Sequence, residues 1–317
     1  MRRAKQLKIL FCGTAQFALP TLGHIIENKW ELLGVVTQPD RRRGRGRKIA
    51  SPPVKEFLSG HTVPVYQPAT PQELIEIIDK YDLKPDLIVV VAYGMLLPSE
   101  VLDLPPLGCI NLHPSLLPRY RGAAPIQRAI MNGEQVSGIT SMYLSEEMDA
   151  GDIILQEEAE IPEDATAGDM ASVLAERGAV LIDQTLTMIQ QGTAPRHPQD
   201  HSRATCAPPL RREEEQIDWS HDAAKIYNQI RGMNPKPGAY TVIKGRILKL
   251  WRSQVIADKI SGFLPGEVVE INPKTGFSVQ TGSGRIFLTE VQPAGRARMS
   301  AAAYLRGNKI SQGLRLG

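Results

Sequence analysis

The sequence predicts an α/β chain in two parts: an N-terminal doubly wound, mostly parallel sheet, then a C-terminal small β-barrel or sandwich. Three observations predict this. Apolar strand-like runs alternate with segments of helical period up to Met131, as in βαβ units. From Gly238 onward, short β-like runs follow one another with only turn residues between them. The chain, at 317 residues, also exceeds what a single core comfortably supports.

Each element has a local reason. LKILFCG (7–13) is an apolar run closed by glycine and reads as a buried strand. Phe17 to Asn28 carries Phe17, Leu19, Leu22, Ile25 and Ile26 at helical spacing. ELLGVVTQP (31–39) is a second strand and VPVYQP (63–68) a third. PQELIEIIDKY (71–81) is an amphipathic helix with proline at its start. DLIVVVAYG (86–94) is apolar and β-branched throughout, the mark of a strand covered on both faces, and GCINLHP (108–114) follows it. Ala124 to Met131 is the next helix. Proline and glycine then mark a break in QGTAPRHPQDHSRATCAPPLRREEE, which lacks apolar periodicity and reads as a linker. HDAAKIYNQIRGM is one helix, and GAYTVI, RILKLWRSQVI, GEVVEI, GFSVQT and RIFLTEVQP are the β-runs of the second part. The expected division is residues 1–195, a linker at 196–212, and residues 213–317.

Composition excludes several classes. The longest apolar stretch, Leu87 to Ala92, is far too short to span a bilayer, and no signal-like apolar segment follows the basic Met1–Lys8. A cytoplasmic protein is expected. Cys12, Cys109 and Cys206 show no CxxC pairing, so neither a disulfide frame nor a cysteine metal site is implied. Charge is unevenly spread: residues 1–195 carry a formal −6 and residues 196–317 a formal +9, within a total of +3. The basic second half suits a polyanion.

Chemistry concentrates at CINLHPSLLPRYRGAAPIQ (109–127). Asn111 and His113 are two apart on a strand and share a face. Strand ends of a parallel sheet are where such sheets bind ligands. An amide and an imidazole converging there suit a carbonyl that becomes an oxyanion, and histidine can also exchange protons with a nucleophile. LSEEMDAGDIILQ (144–156) places acids between two strand-like runs, and either Asp149 or Asp152 could hold the histidine charged and oriented. DRRRGRGRK (40–48) packs six cations into the eight residues from Arg41, on a loop that follows a strand's carboxyl end; arginine grips phosphates and stacks on bases. FCGTAQFA lacks GxGxxG, which argues against a nicotinamide site, and nothing beside Cys109 would activate it as a nucleophile.

NLHPSLLPRYRGAAPIQ together with MDAGD resembles the folate-dependent formyltransferase family. The resemblance covers the whole chain, unlike the shorter glycinamide ribonucleotide transformylases. GTAQFALP, VVTQPDRRRGRGRK, VVVAYGMLLP and GRILKLW…LTEVQPAGRARMSA are similar to the family's tRNA-acting branch. It implies a Rossmann-like formyltransferase fold for the first domain and an OB-like second one. It implies catalytic Asn111, His113 and Asp149. It implies a 10-formyltetrahydrofolate site formed by Ser115, Leu116, Leu117 and Pro118 with Tyr93, Met95, Leu96 and Leu97. The implied acceptor is initiator methionyl-tRNA, with tetrahydrofolate as product, no metal, and a monomeric enzyme. Arg41, Arg42, Arg43, Arg45, Arg47 and Lys48 would meet the acceptor end, with Arg45 at the centre of Gly-Arg-Gly. Lys236, Lys244, Arg246, Lys249, Arg252, Arg296 and Arg298 would add a sequence-independent grip on the tRNA backbone. One departure is visible: Pro114 stands where a small residue is familiar, which would stiffen the entrance to the SLLP loop. A non-catalytic RNA-binding protein and a nucleotide-sugar formyltransferase are the competing readings, and the basic loop and basic second domain argue against the sugar.

Overall fold

The computed structural model describes residues 6–43 and 48–317. In chain order the first elements are β1 (Lys8–Gly13), α1 (Leu19–Glu27), β2 (Glu31–Val36), β3 (Arg41–Arg43), β4 (Lys48–Ala50), α2 (Pro53–Phe57) and β5 (Val65–Tyr66). Next come α3 (Pro71–Lys80), β6 (Leu87–Val91), α4 (Ser99–Leu102), β7 (Cys109–His113), α5 (Pro125–Met131), β8 (Val136–Tyr143), β9 (Ile153–Glu160) and α6 (Ala167–Gln191). The remainder is α7 (Ala223–Gly232), β10 (Tyr240–Ile243), β11 (Arg246–Ile256), β12 (Val268–Asn272), β13 (Gly276–Gln280), β14 (Arg285–Pro293), β15 (Met299–Ser300) and α8 (Ala301–Gly307). Two compact units result: residues 1–122, 137–159 and 171–206 form the first, and residues 123–136, 160–170 and 207–317 the second.

The first unit holds a seven-stranded sheet in the order β5-β2-β1-β6-β7-β8-β9. From β5 to β7 neighbouring strands run parallel, and β8 is antiparallel to β7. The mostly parallel sheet expected from the sequence is borne out. All five residues of β6 are buried, as expected where helices cover both faces. The strand order reverses at β1 and β6, so the crevice outside their carboxyl ends is the switch point where such sheets bind ligands. Helix α3 starts where proline and a cap put it: Thr70 Oγ1 accepts from the Glu73 N–H at 3.2 Å, and Glu73 reaches back to the Ala69 N–H at 2.8 Å. Its buried residues, Leu74 and Ile78, lie one turn apart.

Three expectations need adjustment here. The third strand shrinks from 63–68 to Val65–Tyr66, because Pro64 and Pro68 have no N–H to give the ladder. The first helix begins as a 3-10 turn at Gln16–Ala18 before α1. Helix α6, with 25 residues, was not anticipated. Its Leu174, Leu181, Ile182, Leu186 and Ile189 are buried at helical spacing. Gly178 lets it approach β7, since a Cβ there would come within 2.6 Å of Ile139 and as close to Leu112.

The second unit is an antiparallel sheet in the order β10-β11-β14-β13-β12, with β15 on β14. Register shifts on either side of Arg252 bend the long strand β11. Its core joins Trp219, Ile226, Ile230, Leu248, Leu250, Phe277, Ile286 and Leu288. Trp219 keeps its indole proton satisfied at 3.0 Å by Thr241 Oγ1. Helix α5 belongs to this unit for a visible reason: Arg128 donates to the carbonyls of Pro208 and Pro209 and to Glu214. Those bonds hold the Glu214 carboxyl well below its usual range, at about 2.

Candidate active site

The rim at the carboxyl ends of β1, β2, β6 and β7 is stitched together by short polar side chains. Thr14, just past β1, donates from Oγ1 to the Tyr93 carbonyl at 2.8 Å. Gln38, just past β2, donates to the Gly94 carbonyl at 2.9 Å. These bonds fix the segment after β6. Tyr93 itself points into the core at 2% exposure, with its hydroxyl against Met95 Sδ. Met95 and Leu97 are half-buried, and Leu96 is 71% exposed. An apolar surface here suits a flat heterocycle.

Strand alternation puts Asn111 and His113 on one face of β7; the amide is half-buried and the imidazole buried. The loop that follows is pinned to β8 and β9. Thr140 Oγ1 donates to the Ser115 carbonyl at 2.6 Å, and Gln156 Nε2 donates to the Leu117 carbonyl at 2.9 Å. Ser115 and Leu117 are buried, the Ser115 hydroxyl bonding to the Arg119 carbonyl at 2.7 Å, whereas Leu116 and Pro118 keep partial exposure. The Leu117–Pro118 peptide is cis.

His113 is held from both sides. Its Nδ1 lies 3.5 Å from Asp149 Oδ2, and its Nε2 lies 2.9 Å from the Tyr120 carbonyl. A carbonyl only accepts, so Nε2 carries the proton of that bond. The Asp149 carboxylate faces the other ring nitrogen. The geometry depends on two residues in the left-handed region, Tyr120 at φ 61° and Asp149 at φ 52°. Asp149 Oδ2 also accepts from the Gly122 N–H at 2.8 Å. Of the two acids the sequence left open, Asp149 meets the imidazole, while Asp152 faces Arg196 at 3.6 Å.

Sequence reasoning passed over the groups that hold this arrangement. Gln199, buried at 6% exposure, contacts the Asp149 turn, and Thr205 Oγ1 accepts from the Tyr120 N–H at 2.8 Å. Both lie in the stretch read as a linker, yet residues 196–206 group with the first unit. A lone glutamine and threonine in an aperiodic segment give no signal that could have found them. Gly151 is a second hidden requirement. A Cβ there would drive into the Tyr143 carbonyl, so the turn carrying Asp149 closes only with glycine. Gly151→Ala is expected to lower turnover about tenfold, since catalytic misplacement by ~1 Å can cost ~10²-fold. Unchanged turnover in a folded Gly151→Ala protein would show that the turn tolerates the shift.

The cationic residues fall in separate places. Arg41 and Arg42 are exposed on the ribbon of β3 and β4, which follows β2 on the same rim, and Lys55 braces its base through Asp40 at 2.9 Å. Arg45 and Arg47 lie outside the described residues. In the second unit Lys236, Arg246, Arg252 and Arg296 are exposed, and Lys244 donates to the Lys309 carbonyl. Arg298 stacks 3.5 Å from the centre of the Trp251 ring, with Lys249 at 5.7 Å. Trp251 is 4% exposed, a core residue. Burial pushes the Cys109 thiol up to about 12, which leaves it inert as a nucleophile.

Residues 5–186 match the Formyl transferase family model and residues 209–309 that family's C-terminal domain. The chain belongs to the formyl transferase family. A methionyl-tRNA formyltransferase from Moorella thermoacetica is 49% identical, with 98% of this chain and 99% of the relative covered. One from Pelotomaculum thermopropionicum is 46% identical over the same shares of each chain. Among solved structures, an N-formyltransferase from Helicobacter canadensis in complex with folinic acid and dTDP-3-aminofucose superposes at a TM-score of 0.68. At 18% identity, covering 91% of this chain and 100% of that one, it shows that the formyl transferase fold is shared. Among the described residues no helix is long and apolar enough to cross a membrane.

Proposed function

We propose that this formyl transferase moves the formyl group of 10-formyltetrahydrofolate to the methionine amino group of initiator methionyl-tRNA. The observation that carries the reading is the His113–Asp149 pair beside Asn111 at the switch-point rim, in a chain nearly half identical to methionyl-tRNA formyltransferases. The free amine attacks the formyl carbon, the carbonyl oxygen becomes an oxyanion, and the bond from that carbon to folate N10 breaks. N10 takes up a proton and the new amide loses one. The Asn111 amide donates to the oxyanion. His113 trades its Tyr120 carbonyl partner for the reacting oxygen as substrate enters, since catalytic hydrogen bonds tighten on binding. Asp149 orients the ring and compensates its charge. No covalent intermediate on the protein is needed.

Leu116, Pro118, Met95, Leu96 and Leu97 offer the folate its apolar slot, with Ser115, Leu117 and Tyr93 shaping the slot from behind. Residues 1–195 then serve as the catalytic domain, joined by residues 196–206 of the 196–212 connection, and 213–317 as the basic tRNA-binding domain of a cytoplasmic monomer. The test incubates the protein with 10-formyltetrahydrofolate and labelled Met-tRNA, with a nucleotide-sugar amine as competitor. Formylation of the sugar alone overturns the acceptor; transfer to neither overturns the enzyme reading.

Cations on the β3–β4 ribbon and in the second unit bind phosphate. The log of the Met-tRNA affinity is therefore expected to fall linearly with log salt, at a slope of about −0.7 to −0.9 per phosphate contacted. Arg42→Ala combined with Arg45→Ala should shallow that slope by about one to two such contacts and leave folate binding within about twofold. Equal losses for both substrates would remove the ribbon from tRNA recognition.

A further inference from the structure

We infer that Gln199 is a positioning residue for formyl transfer: its single carboxamide ties the turn that carries Asp149 to the segment that holds His113 from the other side. The inference rests on the catalytic role proposed for Asp149. The Nε2 group of Gln199 donates to two backbone carbonyls, that of Asp149 at 2.9 Å and that of Gly151 at 2.8 Å. The bite spans the turn and fixes the carbonyl of the residue whose carboxylate faces His113. The Oε1 atom of the same amide accepts from Arg121, at 3.1 Å from Nε and 2.7 Å from Nη2. Arg121 sits between the two residues that touch the pair: Tyr120, whose carbonyl takes the His113 Nε2 proton, and Gly122, whose N–H donates to Asp149 Oδ2.

Only a side-chain amide can do this. It donates two protons from one end and accepts from the other in a single plane. A carboxylate would meet two carbonyls with no proton to give, and an ammonium could not accept from arginine. Gln199 is held in turn by its own segment. His197 exchanges backbone bonds with Ile153 at 2.9 and 3.0 Å, and Thr205 binds the backbone of Tyr120 and Arg121. The stretch that looks like a connector in sequence is thus the clasp across both catalytic loops. Asp149 needs the clasp because its backbone occupies the left-handed region at φ 52°. Without the two bonds from Gln199 the turn loses what opposes its relaxation, and the carboxylate drifts from the imidazole.

The experiment is a double-mutant cycle on the full-length protein, reading kcat and KM for both substrates. Gln199→Met, which keeps length and removes donors and acceptor, is expected to lower kcat about tenfold with both KM values within about twofold. In an Asp149→Ala background the same change should cost less than about twofold, because a residue acting through Asp149 has nothing left to position. Gln199→Glu, which keeps the acceptor for Arg121 but cannot donate, should match Gln199→Met. Multiplying losses in the double variant, or a raised KM at unchanged kcat, would overturn the inference. So would wild-type kcat in either folded Gln199 variant. Failure of both variants to fold would reduce Gln199 to a purely structural residue and overturn the inference as well. Wild-type kcat in Asp149→Ala alone instead sinks the catalytic reading beneath it.

Discussion

His113→Ala should lower the turnover of formyl transfer by about 10²- to 10⁴-fold, the range over which a positioned acid–base side chain acts. That is about 2.7 to 5.4 kcal/mol of lost transition-state stabilisation. The reason lies in the ion-pair contact and the hydrogen bond that aim the ring. Asp149 at 3.5 Å and the Tyr120 carbonyl at 2.9 Å leave the imidazole little freedom, so its removal takes away a preorganised group rather than a mobile one. Because His113 is 4% exposed, alanine also opens a small cavity. His113→Asn, which fills more of that space, separates the two effects. Pre-steady-state formylation of Met-tRNA, read beside thermal melting of each variant, is the measurement. Both variants melting near wild type with turnover within threefold of it would remove His113 from the chemistry.

Asn111→Ala should cost about 10²- to 10³-fold in kcat, the loss seen when one oxyanion donor is removed, with little change in folate affinity. Asn111 sits on β7 between Val90 of β6 and Met142 of β8, so its backbone is fixed by strands on both sides. The side chain is half-buried on the His113 face, where an amide N–H can donate as negative charge develops. A donor used only in the transition state changes kcat and kcat/KM together. Asn111→Ala and Asn111→Asp are both informative, since aspartate there repels an oxyanion and should be the worse of the two. If folate binding falls in step with kcat in both variants, Asn111 is a ground-state contact and the oxyanion role is lost.

Much of the first unit was legible because its strands are short apolar runs ended by glycine or proline, and its helices α1 and α3 carry buried residues one turn apart. Helix α6 was not legible, because alanines and Gly178 dilute its apolar stripe; only the sheet it packs against reveals why glycine is needed there. β5 was over-read because alternation of valine and tyrosine outweighed the flanking prolines. Asn111 and His113 were visible as a pair through strand alternation alone. Spacing and residue type left their acid open, since Asp149 and Asp152 lie three positions apart in one loop, and only the MDAGD resemblance pointed to Asp149.

What the sequence determined by itself is the set of elements, the face of β7 that bears Asn111 and His113, and the rim on which chemistry would sit. Period two along a strand and burial of apolar runs are local rules, readable without knowing the partner. The tertiary structure alone decided that the Tyr120 carbonyl holds the imidazole nitrogen opposite Asp149 and that Gln199 clasps the two loops. These are contacts between residues up to 78 positions apart in chain, and several of them run to backbone carbonyls, which every residue possesses. Nothing in a side-chain alphabet encodes a carbonyl's direction; that follows from left-handed turns at Tyr120 and Asp149, which exist only once the loops have closed on one another.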